Sequence, residues 1–193
     1  DFKNTPANVD LFFIAVKNNA IGSFEKSLKH VKGAIIHTSG ATPLAILGRK
    51  TRAGVFYPVS TIRENFPKSL KKVPLCLEAT DEATMKKLGI LATALSNKIY
   101  LLDSPERARL HLAAVFTNNF TNHLLGIAMN LLDKHELPPE LLEFLAISTV
   151  RNAFENGAFE SQTGPAVRHD TRTIQRHLNA LKSDKQAYEI YKL

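Results

Sequence analysis

Only one cysteine, Cys76, occurs in the 193 residues, so no internal disulfide can staple the chain. It lies in the apolar stretch VPLCLEA, where a buried, inert thiol is the ordinary role of the residue. A lone thiol suits a reducing compartment, and the expected location is cytoplasmic. Long hydrophobic runs are missing too. None approaches the roughly 18–20 apolar residues of a membrane span, and the opening DFKNTPANVD has neither a basic n-region nor an apolar h-region. No membrane partner and no export signal are expected. The chain also lacks Cys/His zinc spacing, a G-x-S-x-G elbow, a Walker loop and an H-E-x-x-H pair. These absences set aside the common metal-site and hydrolase readings, and no metal is expected.

Positive charge is in excess, with 25 Lys and Arg against 18 Asp and Glu and a net charge of +7. The basic residues are scattered, the densest knot being KSLKK at 68–72, so no nucleic-acid partner is expected. A solvated face accounts for them, and an anionic small molecule such as a phosphorylated cofactor would suit them equally.

What is present is an alternation. The run VDLFFIAV, Val9 to Val16, is almost unbroken in its apolar character and too short for a buried helix, which predicts a strand covered on both faces. A helix is expected from about Ala20 to His30, then a strand in GAIIHTSG, then a short helical segment near Pro43 to Leu47. Strands in GVFYPV, VPLCLEA and KIYLL follow, the last two separated by a helix that Thr80 or Asp81 caps and that ends near Leu95. Strands alternating with helices predict an α/β domain with a mostly parallel sheet over residues 1–103.

The pattern changes at SPER, where Ser104 reads as a cap, with proline at the first helical position and glutamate close behind. From there to about His135 there is one glycine, Gly126, and no proline after Pro105, which predicts a helix of roughly 30 residues, or about 45 Å. Further helices are expected from Pro139 to Asn156, Thr171 to Leu181 and Asp184 to Tyr191, giving an all-helical domain over 104–193. A helix so long and so apolar needs partner surface. Either its own sheet domain or a second copy of the chain would supply it, and a homodimer through the helical domain is the expectation.

In open α/β sheets ligands lie beyond the carboxyl ends of parallel strands, which singles out AVKNNA, HTSGA and FYPVS. Ala15, Val16 and Lys17 form the first lip, where backbone can approach a ribose or diphosphate and Lys17 can meet a phosphate, unless it is a plain surface lysine. His37, Thr38, Ser39 and Gly40 set a ring, two hydroxyls and an open backbone at one strand end, suited to a polar ligand, a proton relay or a helix-capping turn. Pro58 stands at the third strand end. On the long helix His111, Val115, Asn118 and Asn122 share a stripe with Asn119 beside it. His111 then reads as a proton donor or substrate anchor and the asparagines as orienting hydrogen bonders; satisfied core or interface polar groups are the alternative. In TGPAVRHD, Thr163 and Arg168 are candidate substrate contacts, Arg168 as a bidentate clamp on a carboxylate or phosphate, with Asp170 or Thr171 as a helix cap.

Five motifs in order, FFIAVKNNAI, IIHTSGA, GVFYPVSTI, RARLHLAAVFTNNF and SQTGPAVRHDTRTIQRHL, resemble a bacterial family of Rossmann-like proteins with a C-terminal helical domain of unknown function, related to 6-phosphogluconate dehydrogenase-like enzymes. The resemblance implies a partial Rossmann-type parallel sheet followed by a helical dimerisation domain. It also implies NADP (or NAD) as cofactor and a small carbonyl or imine substrate. Ala15 to Asn18 and His37 to Gly40 would face the nicotinamide, and the helix from Ser104 would carry His111, Asn118 and Asn119 on the substrate side. The group includes deazaflavin-linked NADP reductases, pyrroline-carboxylate reductases and ketopantoate reductases. Two features depart from the pattern. The glycine-rich G-x-G-x-x-G turn is absent from the sequence and is expected to precede Asp1 in a longer protein. The lysine that hydroxyacid dehydrogenases place four residues before an asparagine is also absent, since Val115 precedes Asn119 and Ala114 precedes Asn118. A non-catalytic dimeric module that senses a nucleotide or holds a partner is the competing expectation.

Overall fold

The computed structural model describes residues 6–28, 30–48, 52–61 and 69–193. The opening residues 1–5 and Lys68 of the basic knot lie outside them. The chain divides into two compact units, Asp1–Phe120 and Thr121–Leu193.

The first unit is Rossmann-like α/β. Its five strands are β1 (Leu11–Ile14), β2 (Ala34–His37), β3 (Ala53–Pro58), β4 (Leu75–Ala79) and β5 (Ile99–Leu101), ordered β1-β2-β3-β4-β5. The β1–β2, β2–β3 and β4–β5 pairings are parallel, whereas β3 and β4 are antiparallel. The helices are α1 (Ile21–Ser27), α2 (Glu82–Leu95) and α3 (Ser104–Ala114). Alternation along the strands sorts side chains to two faces. Ala34, Ile36, Phe56, Leu75 and Leu77 form one cluster with Leu88 and Ala92 of α2. Ile35 and Ala53 point the other way, to Ile21 and Leu28 at α1, and Val55, Tyr57 and Cys76 point to Leu110 of α3. The Cys76 thiol is buried, and burial raises its pKa, as expected of an inert core cysteine.

Strand β1 is shorter than the apolar run suggests and is an edge of this sheet, so Phe13 stays 38 % exposed, its ring edge against Phe56 at 5.7 Å. The segment near Leu44–Leu47 is a single 3₁₀ turn. Helix α2 begins where expected, with Asp81 accepting the Thr84 N–H at 2.9 Å.

The cap of α3 is Asp103 rather than Ser104. Its carboxylate accepts the Glu106 N–H at 2.7 Å while Glu106 accepts the Asp103 N–H at 2.9 Å, a complete capping box. A carboxylate three residues before a glutamate satisfies two orphan donors, which frees Ser104 for other partners. The expected uninterrupted helix also differs. Residues Val115–Phe120 form a π-helical turn between α3 and α4 (Thr121–Asp133). The segment VFTNNF is built wholly of residues with modest helix propensity, and Thr117 donates its hydroxyl back to the Ala113 carbonyl at 3.1 Å.

The second unit comprises α4, α5 (Glu143–Asn156), α6 (Thr171–Ala180) and α7 (Lys185–Tyr191). Asp170 and Asp184 cap α6 and α7, and Lys134 pairs with Asp184 at 2.8 Å. Among its described residues only Leu181 and Ala187 are buried apolar side chains, while Phe144, Phe154 and Phe159 are 81–89 % exposed. No described helix is long and apolar enough to cross a membrane.

Candidate functional site

Parallel pairing puts Ile14 opposite His37, so the segments after β1 and β2 leave the sheet side by side. Ala15 and Lys17 are exposed and Val16 half-buried, while Thr38 is half-buried and Ser39 and Gly40 are buried. Strand β3 runs parallel to β2 with Val55 opposite His37, which carries Tyr57 and the half-buried Pro58 beyond that point toward the same edge.

The HTSGA turn is internally bonded. The Ser39 N–H donates to His37 Nδ1 at 3.2 Å, the Ser39 hydroxyl to Thr42 Oγ1 at 2.9 Å, and the Thr42 N–H to Ser39 Oγ at 3.0 Å. His37 is fully enclosed, so in this conformation it reaches a ligand only through the turn it shapes. Burial, with the Arg107 charge adding to it, lowers its pKa to about 4. The sign follows directly. Below the ordinary pKa of about 6.5 the unfolded chain takes up a proton that the folded chain refuses, so stability falls as pH drops from about 6.5 toward 4. Chemical denaturation is expected to show a loss of about 2–3 kcal/mol between pH 7 and 4.5. His37→Gln should flatten that slope; an equal slope in the variant removes His37 as its source. The capping carboxylates Asp81, Asp170 and Asp184 titrate below this window, because hydrogen bonds hold each under its usual range.

Two polar side chains pair at this edge. Tyr57 Oη lies 3.3 Å from Nδ1 of His111, with the rings edge-to-face at 69°. Gly40 backs the pair: a Cβ there would stand 2.6 Å from Tyr57 Cζ and 2.8 Å from His111 Nδ1. Burial raises the Tyr57 pKa, with Cys76 adding to the shift, so the phenol keeps its proton at neutral pH.

Helix α3, which carries His111, is bolted to the sheet. Arg107, one turn before His111, is 1 % exposed; its guanidinium pairs with Glu78 at the end of β4 and donates to the Thr42 carbonyl at 2.7 Å. Glu78 accepts the Ser104 N–H at 3.1 Å, and the Ser104 hydroxyl in turn accepts the Leu44 N–H at 2.9 Å.

The structure thus brings His111 beside Gly40, with the other HTSGA residues in the same turn. Asn118 and Asn119 are exposed in the π-helical turn, 3.4 Å apart through Nδ2 and Oδ1. Thr163 and Arg168 belong to the second unit, exposed between α5 and α6. Tyr57, Glu78 and Arg107 were not singled out from the sequence. A glutamate inside the apolar strand LCLEA was the available signal, because a charge there demands a partner.

A nucleotide cofactor fits the observed edge in part. Exposed Ala15 and Lys17 beside the Thr38–Gly40 turn offer approachable backbone and one cation, the chemistry of one wall of such a cleft.

Residues 73–193 match the family model described as a domain of unknown function, DUF2520. Among solved structures, the chain is similar to the "putative NADP oxidoreductase" of Bacteroides fragilis, at 32% identity and TM-score 0.92, over 100% of this chain and 76% of that one. It shares its fold with a Thermotoga maritima protein at 22% identity and TM-score 0.76, over 95% of this chain and 74% of that one. It does so too with a "putative oxidoreductase" of Mycobacterium avium at 14% identity and TM-score 0.58, over 97% and 73%. The comparison with curated proteins found no match.

Proposed function

The chain belongs to the DUF2520 family, and we propose that it is an NAD(P)-dependent oxidoreductase transferring a hydride between NADP(H) and a small carbonyl or imine compound, with a ketopantoate-like keto acid as the concrete candidate. The observation that carries this reading is the Tyr57–His111 pair at the carboxyl edge of the parallel strands, beside the Ala15–Lys17 and Thr38–Gly40 segments. The name borne by the Bacteroides fragilis relative agrees with it. Reduction adds a hydride at carbon and a proton at oxygen or nitrogen, and a bound nicotinamide supplies the first. His111, half-buried and on a helix fixed by Arg107, is the donor this chain offers to the heteroatom. The exposed carboxamides of Asn118 and Asn119 are the orienting groups, and Pro58 at the β3 end is a substrate contact.

The apolar surface of the second unit supports a homodimer through it. Phe144, Leu145, Ile147 and Phe154 are all more than half exposed on one helix, the kind of apolar face that a second copy could cover.

The test is a calorimetric titration of NADPH and NADH into the full-length protein, followed by turnover with keto acids and cyclic imines, with its mass read in the ultracentrifuge. Saturable binding with turnover by a dimer is expected. Binding without turnover would favour the nucleotide-sensing module, and no binding of either nucleotide would end the oxidoreductase reading.

A further inference from the structure

We propose that Tyr57 is a positioning residue that fixes the tautomer of His111, so that the Nε2–H faces the substrate and selects a ketone oxygen over a protonated imine. The proposal rests on the reading of His111 as the donor. Tyr57 is only 9 % exposed, and its ring packs with Val55, Cys76 and Leu110. Its hydroxyl has one partner among the described residues, His111 Nδ1 at 3.3 Å.

Two assignments of the shared hydrogen exist, and burial separates them. If Nδ1 carried it and donated to the phenol oxygen, the phenol's own proton, on a part-buried hydroxyl, would be left without an acceptor among the described residues, the less favourable state. If the phenol donates to Nδ1, both groups are satisfied and the ring hydrogen lies on Nε2. No described group bonds to Nε2, and the half-buried ring leaves it for a ligand.

Gly40 makes the arrangement rigid. Both rings converge on its Cα so closely that a methyl group there would displace one of them, and Arg107 holds the helix one turn away. His111 is therefore seated from three sides: by the phenol, by a bare backbone and by its own anchored helix.

A fixed Nε2–H donor sets the substrate class: as its hydrogen goes to the substrate, Nδ1 takes the phenol's, the ring stays neutral and solvent returns a proton to the phenolate. A keto oxygen, or a neutral imine nitrogen, presents a lone pair to it. A protonated imine presents an N–H of its own and no lone pair, so donor would face donor. A keto oxygen, as in a 2-keto acid, or a neutral imine is then preferred over a protonated imine.

The experiment uses full-length protein with ¹⁵N-labelled histidine, the His111 signals being assigned by their disappearance in His111→Gln. Wild type is expected to show a single Nε2–H tautomer with a hydrogen-bonded Nδ1. Tyr57→Phe should shift Nδ1 to the position of a free ring nitrogen, and lower kcat on a keto acid about tenfold, the worth of one hydrogen bond, with KM unchanged. Gly40→Ala, whose methyl would press on both rings while leaving the phenol hydroxyl in the chain, should give the same shift. An unchanged His111 spectrum in Tyr57→Phe would overturn the proposal. A changed spectrum in a protein that turns over no substrate would uphold the tautomer assignment while the oxidoreductase reading itself fails.

Discussion

Truncating His111 to alanine is expected to lower kcat/KM of the NADPH-dependent reaction by about 10²–10⁴-fold, the range for a positioned acid–base group. The loss should appear mainly in kcat. In the proposed reaction the ring meets the heteroatom whose charge grows as the hydride arrives, an interaction stronger in the transition state than with bound substrate. NADPH affinity should stay near that of the parent, because the segments proposed to face the cofactor, Ala15–Lys17 and Thr38–Gly40, belong to other elements. His111→Gln restores a donor of similar reach without the imidazole and should recover part of the loss. Equal kcat for His111→Ala and wild type would show that the proton reaches substrate by another route.

The sheet and most helices were legible because their periods are clean. AIIH and GVFYP alternate between two apolar faces, and DEAT places a capping carboxylate three residues before the N–H it accepts. The direction of β4 was not legible. A strand's direction depends on how its link returns the chain, which the pattern of LCLEA does not encode. The break at VFTNNF was hidden for a different reason. Apolar spacing continues through the segment, and the added residue of a π turn appears only in which carbonyl each N–H meets.

The site was half legible. Polar residues at strand ends drew attention to HTSGA and a polar stripe on the long helix to His111, and the fold puts Gly40 against His111. Position on a strand end does not encode exposure, however, and His37 is sealed while Thr38 is not. Tyr57 was passed over because an aromatic in a strand reads as core, which its ring is; only its hydroxyl belongs to the edge. Arg107 was hidden among arginines that look solvated on any helix, since a buried guanidinium is recognisable only by the carboxylate that the fold brings to it from 29 residues away.

That pair gives the second large effect. Arg107→Met is expected to cost about 3–5 kcal/mol of unfolding free energy, because it leaves the Glu78 carboxylate at 18 % exposure without its cation. Three contacts lose their common partner at once: Glu78, the Thr42 carbonyl and the Ser104 hydroxyl. The double variant Glu78→Leu with Arg107→Met removes both charges and should be the more stable of the two, since the penalty lies in the unpaired charge rather than in the volume. Urea melts of the two variants decide this, and a double variant no more stable than Arg107→Met alone would assign the loss to packing. The consequence reaches the chemistry. Arg107 and His111 are successive turns of α3, so a helix released from the sheet no longer holds the imidazole at the Tyr57 hydroxyl. The double variant, refolded but unanchored, is therefore expected to regain stability without regaining kcat.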